Sequence, residues 1–454
     1  MMKAAYVHLL FGLFYLVGAS FLPISSFEPK ALGIAFCMIH WWIAQPVPIY
    51  VTALVPLIVG VPLGMISETE LASAYGNKMV FLFLGGFLIA LGIEKWKLHH
   101  YFAEYILNLF GNSPKQILLG FMVSTAALSM WISNTATALM MLPMAISIIL
   151  SIPRFRLKKR FSIALLLSIA FSANIGGIAT LIGTPPNVQM AGILEQNFQI
   201  EITFWQWFKF GFPFMLLLLI VTYFILRLVF LKNISFEVNT AKSQKMNTPQ
   251  KRVLVVFLIT VIFWIFSVPI FKPLGIPIND TMIALFGGFL LFIVPQENKK
   301  PLLEWNDTKR LPWGILLLFG GGLALAKMLA NGNVVIYAVE SLSSFSHLPL
   351  IVIMFLFFGL ALFATELMSN LALVSILIPV LGEFAVLYDL PLITLAAGVA
   401  ISASCAFMLP IATPPNAIVY SANILSMSVM VRVGFIVNCI TLVLTTLFLY
   451  FFHV

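Results

Sequence analysis

Charge is what this sequence has least of. Asp, Glu, Lys and Arg make up only 9% of its 454 residues, where an ordinary soluble domain carries about 25%. A chain so poor in charge cannot cover itself with a water-facing surface. The acids are the scarcer sign: the only aspartates are Asp280, Asp307 and Asp389, each near a loop. Cysteine is nearly absent, and Cys37, Cys405 and Cys439 all fall in apolar segments, which leaves no disulfide framework and no metal-ligand spacing. The zinc-peptidase pattern His-Glu-x-x-His is missing, so no nucleophile or metal constellation supports a membrane-embedded enzyme. Nor is there the continuous polar path or ring of charges that a channel uses.

Apolar residues fill the space instead, at 61% of the total. Apolar runs recur from end to end, for instance at 4–22, 210–231, 254–270, 282–294 and 431–452, against the roughly 20 residues that a membrane span requires. The pattern predicts an all-α integral membrane protein of about eleven transmembrane helices plus two re-entrant hairpins. Lys3 and the small residues Gly18, Ala19 and Ser20 give the first run some likeness to a signal peptide. Its length and the spans that follow at once favour a first transmembrane helix over residues 1–24.

The net charge of +9 gathers in short loops, which speaks against a nucleic-acid surface. Arg154, Arg156, Lys158, Lys159 and Arg160 share one loop, Lys242, Lys245, Lys251 and Arg252 a second, and Lys299, Lys300, Lys309 and Arg310 a third. By the positive-inside rule these loops are cytoplasmic, which places the chain as a multi-pass protein of the cell (inner) membrane with the lipid bilayer as its partner. The stretches with Glu68 and Glu70, with Glu195 and Glu201, and at 341–349 lack Lys and Arg and belong to the other side.

One tetrapeptide occurs twice, as Thr184-Pro185-Pro186-Asn187 and Thr413-Pro414-Pro415-Asn416. Two adjacent prolines break a helix and free backbone groups that the membrane interior cannot solvate, so each break needs compensation. Each copy is preceded by a Ser-Asn pair inside an apolar segment, Ser133-Asn134 and Ser369-Asn370. Pro48 and Thr52 match Pro277 and Thr281, Gly85-Gly86 matches Gly320-Gly321, and Pro143 matches Pro379, with offsets between 229 and 236 residues. The basic loop at 151–160 corresponds to 387–396, which has Asp389 and no positive residue. Equivalent loops should therefore face opposite sides, as in an inverted-topology repeat. The expected organisation is a first copy over residues 30–232 with a hairpin at about 115–151, a cytoplasmic loop at 233–250, and a second copy over 251–452 with a hairpin at about 348–387.

Hairpin tips built on the Ser-Asn pairs would sit deep in the protein, where helix N-termini offer free N–H groups to an anion. Small hydroxyls, amides and carbonyls freed by Pro185, Pro186, Pro414 and Pro415 would supply oxygen ligands for a hard monovalent cation. Segments 128–144, 172–190, 365–380 and 402–420 contain no Lys or Arg at all. Helix dipoles alone, worth about half a charge each, cannot hold a divalent anion there, so co-bound cations, and hence coupling to sodium, are expected.

At these positions the chain resembles the divalent anion:sodium symporters, the di- and tricarboxylate transporter family. The resemblance rests on Ser133-Asn134-Thr135, on Gly183 with the first Thr-Pro-Pro-Asn, on the run from Thr365 to Asn370, and on the run from Ala406 to Asn416. It implies a homodimer with a fixed scaffold part and a moving transport part, working as an elevator that imports di- or possibly tricarboxylates such as C4 acids. It further implies a first sodium site at Ser129, Ser133, Asn134 and Gly183, and a second at Thr365, Asn370 and Ala412. Substrate carboxylates would meet Ser133, Asn134, Thr135, Thr184, Ser369, Asn370 and Thr413. Sodium is the only inorganic partner implied, and no organic cofactor is. The chain departs from the family pattern at Leu371, where Ser-Asn is usually followed by Thr, so substrate choice should be decided between Thr135 and Leu371. A sodium-independent exchanger and a symporter for sulfate or another divalent anion are the rival readings.

Some residues have plainer expectations. Gly85-Gly86 and Gly320 to Gly322 suit close helix packing, and His40 beside Trp41 and Trp42 suits a packed or interfacial role. Glu366, an acid in an apolar stretch, should have a partner, with Lys327 the nearest candidate. Glu94 and Lys95 read as an interfacial pair.

Overall fold

The computed structural model describes residues 2–22, 26–152, 155–232, 234, 245–267, 271, 273–297 and 299–452. Arg154, Lys242 and the side chains of Arg156 and Lys158, on which the loop-charge reading partly rests, lie outside the described residues. Among the described residues the regular elements are helical, and extended pairing is confined to one bridge between Pro295 and Pro301. Among the described residues, eight helices are long and apolar enough to cross a membrane by length and composition, and five shorter apolar helices accompany them. Length alone does not translate into a count of spans here. Asn134–Ser151 and Asn370–Leu387 meet the length criterion although each begins at an internal Ser-Asn pair, while Leu392–Ser404 falls short because its helix is interrupted.

Side-chain distribution fits a hydrocarbon solvent. On Phe204–Phe230, Leu216, Ile220, Phe224 and Leu228 form an exposed stripe at four-residue spacing, and Val255, Leu258, Ile262 and Phe266 form one at three- and four-residue spacing on Thr248–Phe266. Such surfaces would drive association in water but are well solvated by lipid. The opposite case is Lys159–Ile178, a span buried along its whole apolar window. Its helix, Phe155–Ile178, packs on Pro114–Ser129, Asn134–Ser151 and Phe204–Phe230, and also on Leu392–Ser404 and Pro414–Tyr420 from the second half of the chain. The two broken helices therefore form the centre of the molecule.

The glycine clusters do pack helices closely. A Cβ on Gly85 would strike the backbone of Ala284, one on Gly320 the ring of Tyr75, and one on Gly321 the carbonyl of Ala53. His40 also packs, with its Nε2 3.1 Å from His8 Nδ1 on the first helix, Met2–Ala19.

The doubled Thr-Pro-Pro-Asn has the same local structure twice. Thr184 and Thr413 are extended N-cap residues, at φ −143° and −140°, ahead of Pro185–Phe198 and Pro414–Tyr420. A residue before proline is pushed out of the helical region, so each threonine stays extended, and the preceding half-helices have already ended at Ile178 and Ser404. The two prolines then occupy the first turn, where an N–H would have no acceptor anyway. Asn187 and Asn416 complete the break: Asn187 Nδ2 donates to the carbonyls of Gly177 (3.2 Å) and Thr180 (2.9 Å), and Asn416 Nδ2 to those of Ala406 and Leu409 (both 3.0 Å). The amide of each tetrapeptide thus braces the gap it opens, at about 0.5–1.5 kcal/mol per hydrogen bond. Each of these four carbonyls near the breaks thus receives a side-chain N–H from the asparagine that follows the prolines.

Candidate functional site

Both breaks and both Ser-Asn pairs open onto one cavity of about 410 Å³. Ser133, Asn134 and Thr135 line it from the first pair, Ser369, Asn370 and Leu371 from the second. Gly183, Thr184, Pro185 and Pro186 contribute the first break, and Ala412, Thr413, Pro414 and Pro415 the second. Apart from Ser129 and Thr365, every residue singled out from sequence as a binding or helix-break position is therefore brought to one place. The opposing wall is largely apolar, from Trp42, Ile49, Phe83, Phe87, Ile315 and Leu318. Among the described residues, no Lys, Arg, His, Asp or Glu lines the cavity.

Ser133 and Ser369 are the N-caps of Asn134–Ser151 and Asn370–Leu387. Within each first turn, the N–H groups of Asn134 and Thr135, and of Asn370 and Leu371, have no intrahelical acceptor. Ser133 Oγ accepts a bond from Ala136 N at 3.2 Å, whereas Ser369 caps nothing with its side chain. Two helix N-termini with unpaired N–H groups face a common space, which suits a molecule bearing two separated anionic groups.

Ser129 and Thr365 lie fully buried behind the tips, and their surroundings repeat closely. Ser129 Oγ stands 2.6 Å from Asn134 Oδ1 and 2.7 Å from the carbonyl of Ala173. Thr365 Oγ1 stands 2.7 Å both from Asn370 Oδ1 and from the carbonyl of Ala403. A hydroxyl has one proton and cannot donate to two acceptors at once, so each triad gathers one acceptor too many. The same three-oxygen convergence occurs in both copies, a donor set that suits a cation preferring oxygen ligands. At the first triad Gly177 leaves the room required, because a Cβ there would stand 2.9 Å from Asn134 Oδ1 and 3.1 Å from the carbonyl of Gly183.

Two ion-pair expectations are overturned. Glu366 does not meet Lys327, which reaches Glu70 at 3.7 Å. The Glu366 carboxylate is instead 3% exposed and accepts from the N–H groups of Phe407 (2.8 Å), Met408 (2.9 Å) and Leu409 (3.0 Å) and from Asn438 Nδ2 (2.9 Å). The reason is local: Leu392–Ser404 ends early and leaves three consecutive N–H groups without helical acceptors. Phe155–Ile178, the corresponding half-helix, leaves no such gap, and Met130 occupies the place equivalent to Glu366. Lys95 likewise pairs with Asp307 at 2.6 Å and not with Glu94, because residues adjacent on a helix point apart.

Asn174 is a cavity residue that motif reasoning missed. Its Nδ2 reaches from the first broken helix to the second, donating to the carbonyl of Ala406 (2.9 Å) and to Thr413 Oγ1 (3.2 Å). The only sequence signal was one amide in an apolar run without a repeated partner.

A family model described as the sodium:sulfate symporter transmembrane region matches residues 3–453. Among characterised relatives, the sodium-dependent dicarboxylate transporter SdcS of Staphylococcus saprophyticus is 36% identical over 442 residues, covering 92% of this chain and 85% of its own. The protein of the same name from Staphylococcus aureus strain USA300 gives the same identity and coverage. Among solved structures, the YdaH transporter of Alcanivorax borkumensis superposes with a TM-score of 0.54 at 13% identity, over 88% of this chain and 97% of that one. That last likeness concerns the fold alone.

Proposed function

The chain belongs to the sodium:sulfate symporter family, and on that footing we propose that it is a sodium-coupled symporter importing dicarboxylates through the cavity between its two Ser-Asn tips. The observation that carries this reading is a cavity with two unpaired helix N-termini and no charged lining residue. Held by dipoles alone a dianion would remain uncompensated; cations in the triads of Ser129 and Thr365 neutralise it. Sodium would then be held by Ser129, Ser133, Asn134 and the Gly183 backbone on one side and by Thr365, Asn370 and the Ala412 backbone on the other. Ser133, Asn134, Thr135, Thr184, Ser369, Asn370 and Thr413 would contact the carboxylates. Because both are needed to build one neutral site, substrate and sodium bind together, and symport follows from that mutual dependence.

The matched hydrogen bonding of the two halves supports a pair of repeats, and the loop charges support their inversion in an inner membrane with the basic loops cytoplasmic. Exchange of access would occur by displacement of the broken helices and tips against the remaining helices, in a homodimer. Leu371, buried at the second tip, favours a substrate with carbon between its charged ends over a compact oxyanion such as sulfate. Competition against labelled succinate uptake by succinate, citrate, 2-oxoglutarate and sulfate, in wild type and Leu371→Thr, tests this. Dicarboxylates should compete in wild type and sulfate should not, and the added hydroxyl should raise the apparent affinity of the more polar competitors by about tenfold. Inhibition of wild-type uptake by sulfate as readily as by dicarboxylates would contradict the reading.

A further inference from the structure

The helix Lys78–Lys95 lines the cavity through Phe83, Gly86 and Phe87 and carries an ion pair at each end. Lys95 meets Asp307 in the third basic loop. Lys78, at the opposite end, places its ammonium 2.6 Å from Glu195 Oε1 and 2.7 Å from Glu201 Oε1. Glu195 lies in the last turn of Pro185–Phe198, the helix that follows the first break, and Glu201 just beyond it. One lysine thus ties a helix of the surrounding frame to the end of a broken helix. Between this tie and the cavity the two parts touch closely, since a Cβ on Gly192 would stand 3.2 Å from Leu323 and one on Gly322 would strike Gln189 and Ser375. On the other side Gln45, Tyr50 and Ile411 line the cavity as exposed residues. Tyr50 packs over Gly314 at the start of Trp313–Asn331, just after the third basic loop. The cavity is therefore open towards the basic loops and closed on the side of Lys78.

The tie has no counterpart in the second half of the chain. In an inverted repeat, a contact that one copy makes in one end state would be made by the other copy in the opposite end state. Lys78 stands seven residues before Gly85, and seven before the matching Gly320 stands Trp313. Glu195 and Glu201 stand eight and fourteen residues after Asn187, and eight and fourteen after Asn416 stand Ile424 and Met430. None of these three carries a charge. The ion pairs therefore favour one end state and nothing equivalent favours the other.

Resting on the moving-site symporter reading above, we infer that Lys78 is a positioning residue for transport, a latch that holds the empty site open towards the basic loops. Lys78 and Glu195 are partly buried and Glu201 is more than half exposed, so each pair is weak, and the two together shift the distribution between end states by about three- to tenfold. An external ligand that binds a rarely populated state has its apparent affinity reduced by that population. Breaking the latch therefore lowers the external sodium and succinate concentrations for half-maximal uptake. Loss of a binding group or of folded structure would do the reverse or lower the maximal rate alone.

The test uses Leu367→Cys, at an exposed lining position of the second tip, and follows its reaction with a membrane-impermeant maleimide added outside sealed right-side-out vesicles without sodium. The unsubstituted chain, whose own cysteines are buried or half-buried, is the blank. Adding Lys78→Gln should speed the reaction about three- to tenfold, and the charge exchange Lys78→Glu with Glu195→Lys should slow it again. Because exposed ion pairs are screened by salt, concentrated external choline chloride should speed the reaction of Leu367→Cys alone and leave the Lys78→Gln form unchanged. Equal rates with and without Lys78, a fast rate that the charge exchange fails to lower, or indifference of Leu367→Cys to salt each overturns the inference. The salt arm needs no latch variant to fold. Labelling decides the latch without transport, whereas wild-type uptake that proceeds equally without sodium sinks the proposed function and leaves the labelling result standing.

Discussion

Glu366→Leu should leave the protein unable to keep its second break, with a loss of about 4 kcal/mol or more in stability. Four donors now end on this carboxylate: the N–H groups of Phe407, Met408 and Leu409, and Asn438 Nδ2. Each buried donor left without an acceptor costs about 1–3 kcal/mol, and leucine supplies none. Glu366→Gln should be intermediate, because one oxygen remains to accept while its NH₂ is set against a donor. Thermal unfolding of purified protein in detergent, followed by monodisperse fraction after heating, ranks the three. The expected order is wild type, Gln, Leu. An unchanged transition in the Gln variant together with an altered pH dependence of uptake would assign Glu366 to proton handling instead.

The second large effect concerns that triad and its counterpart. Ser129→Ala and Thr365→Ala each remove the central oxygen of three, and should raise the sodium concentration for half-maximal uptake by roughly 10- to 100-fold, the equivalent of one charge-assisted contact. The double variant should lose sodium stimulation altogether while remaining folded, since one hydroxyl contributes only about 1 kcal/mol to a hydrogen-bonded interior. Sodium activation curves of succinate uptake give the answer. Curves that coincide with wild type in both single variants would place the cations elsewhere.

How much of this was legible beforehand depended on whether the determinant was local. The membrane class followed from the scarcity of charge, and the positions of the breaks followed from proline, because both are properties of short stretches of chain. The paired Ser-Asn and Thr-Pro-Pro-Asn elements could be set side by side because the offset between copies is nearly constant. What could not be read were partners fixed by tertiary approach. Glu366 was matched to Lys327 by the logic of charge, yet it serves three backbone N–H groups that exist only because one half-helix stops early. The asparagines of the repeated tetrapeptide were given no role from sequence and are braces across the breaks. Asn174 carried no motif, and its role emerges only where one broken helix crosses the other.

The central claim is that a charge-free cavity holds a dianion because sodium enters with it. Proteoliposomes loaded with potassium and given labelled succinate outside, with external sodium or with choline or potassium in its place at matched membrane potential, test that most directly. The account predicts accumulation above equilibrium with sodium and none without it. Uptake that continues unchanged in choline or potassium, or that depends on internal dicarboxylate and not on external sodium, would contradict it.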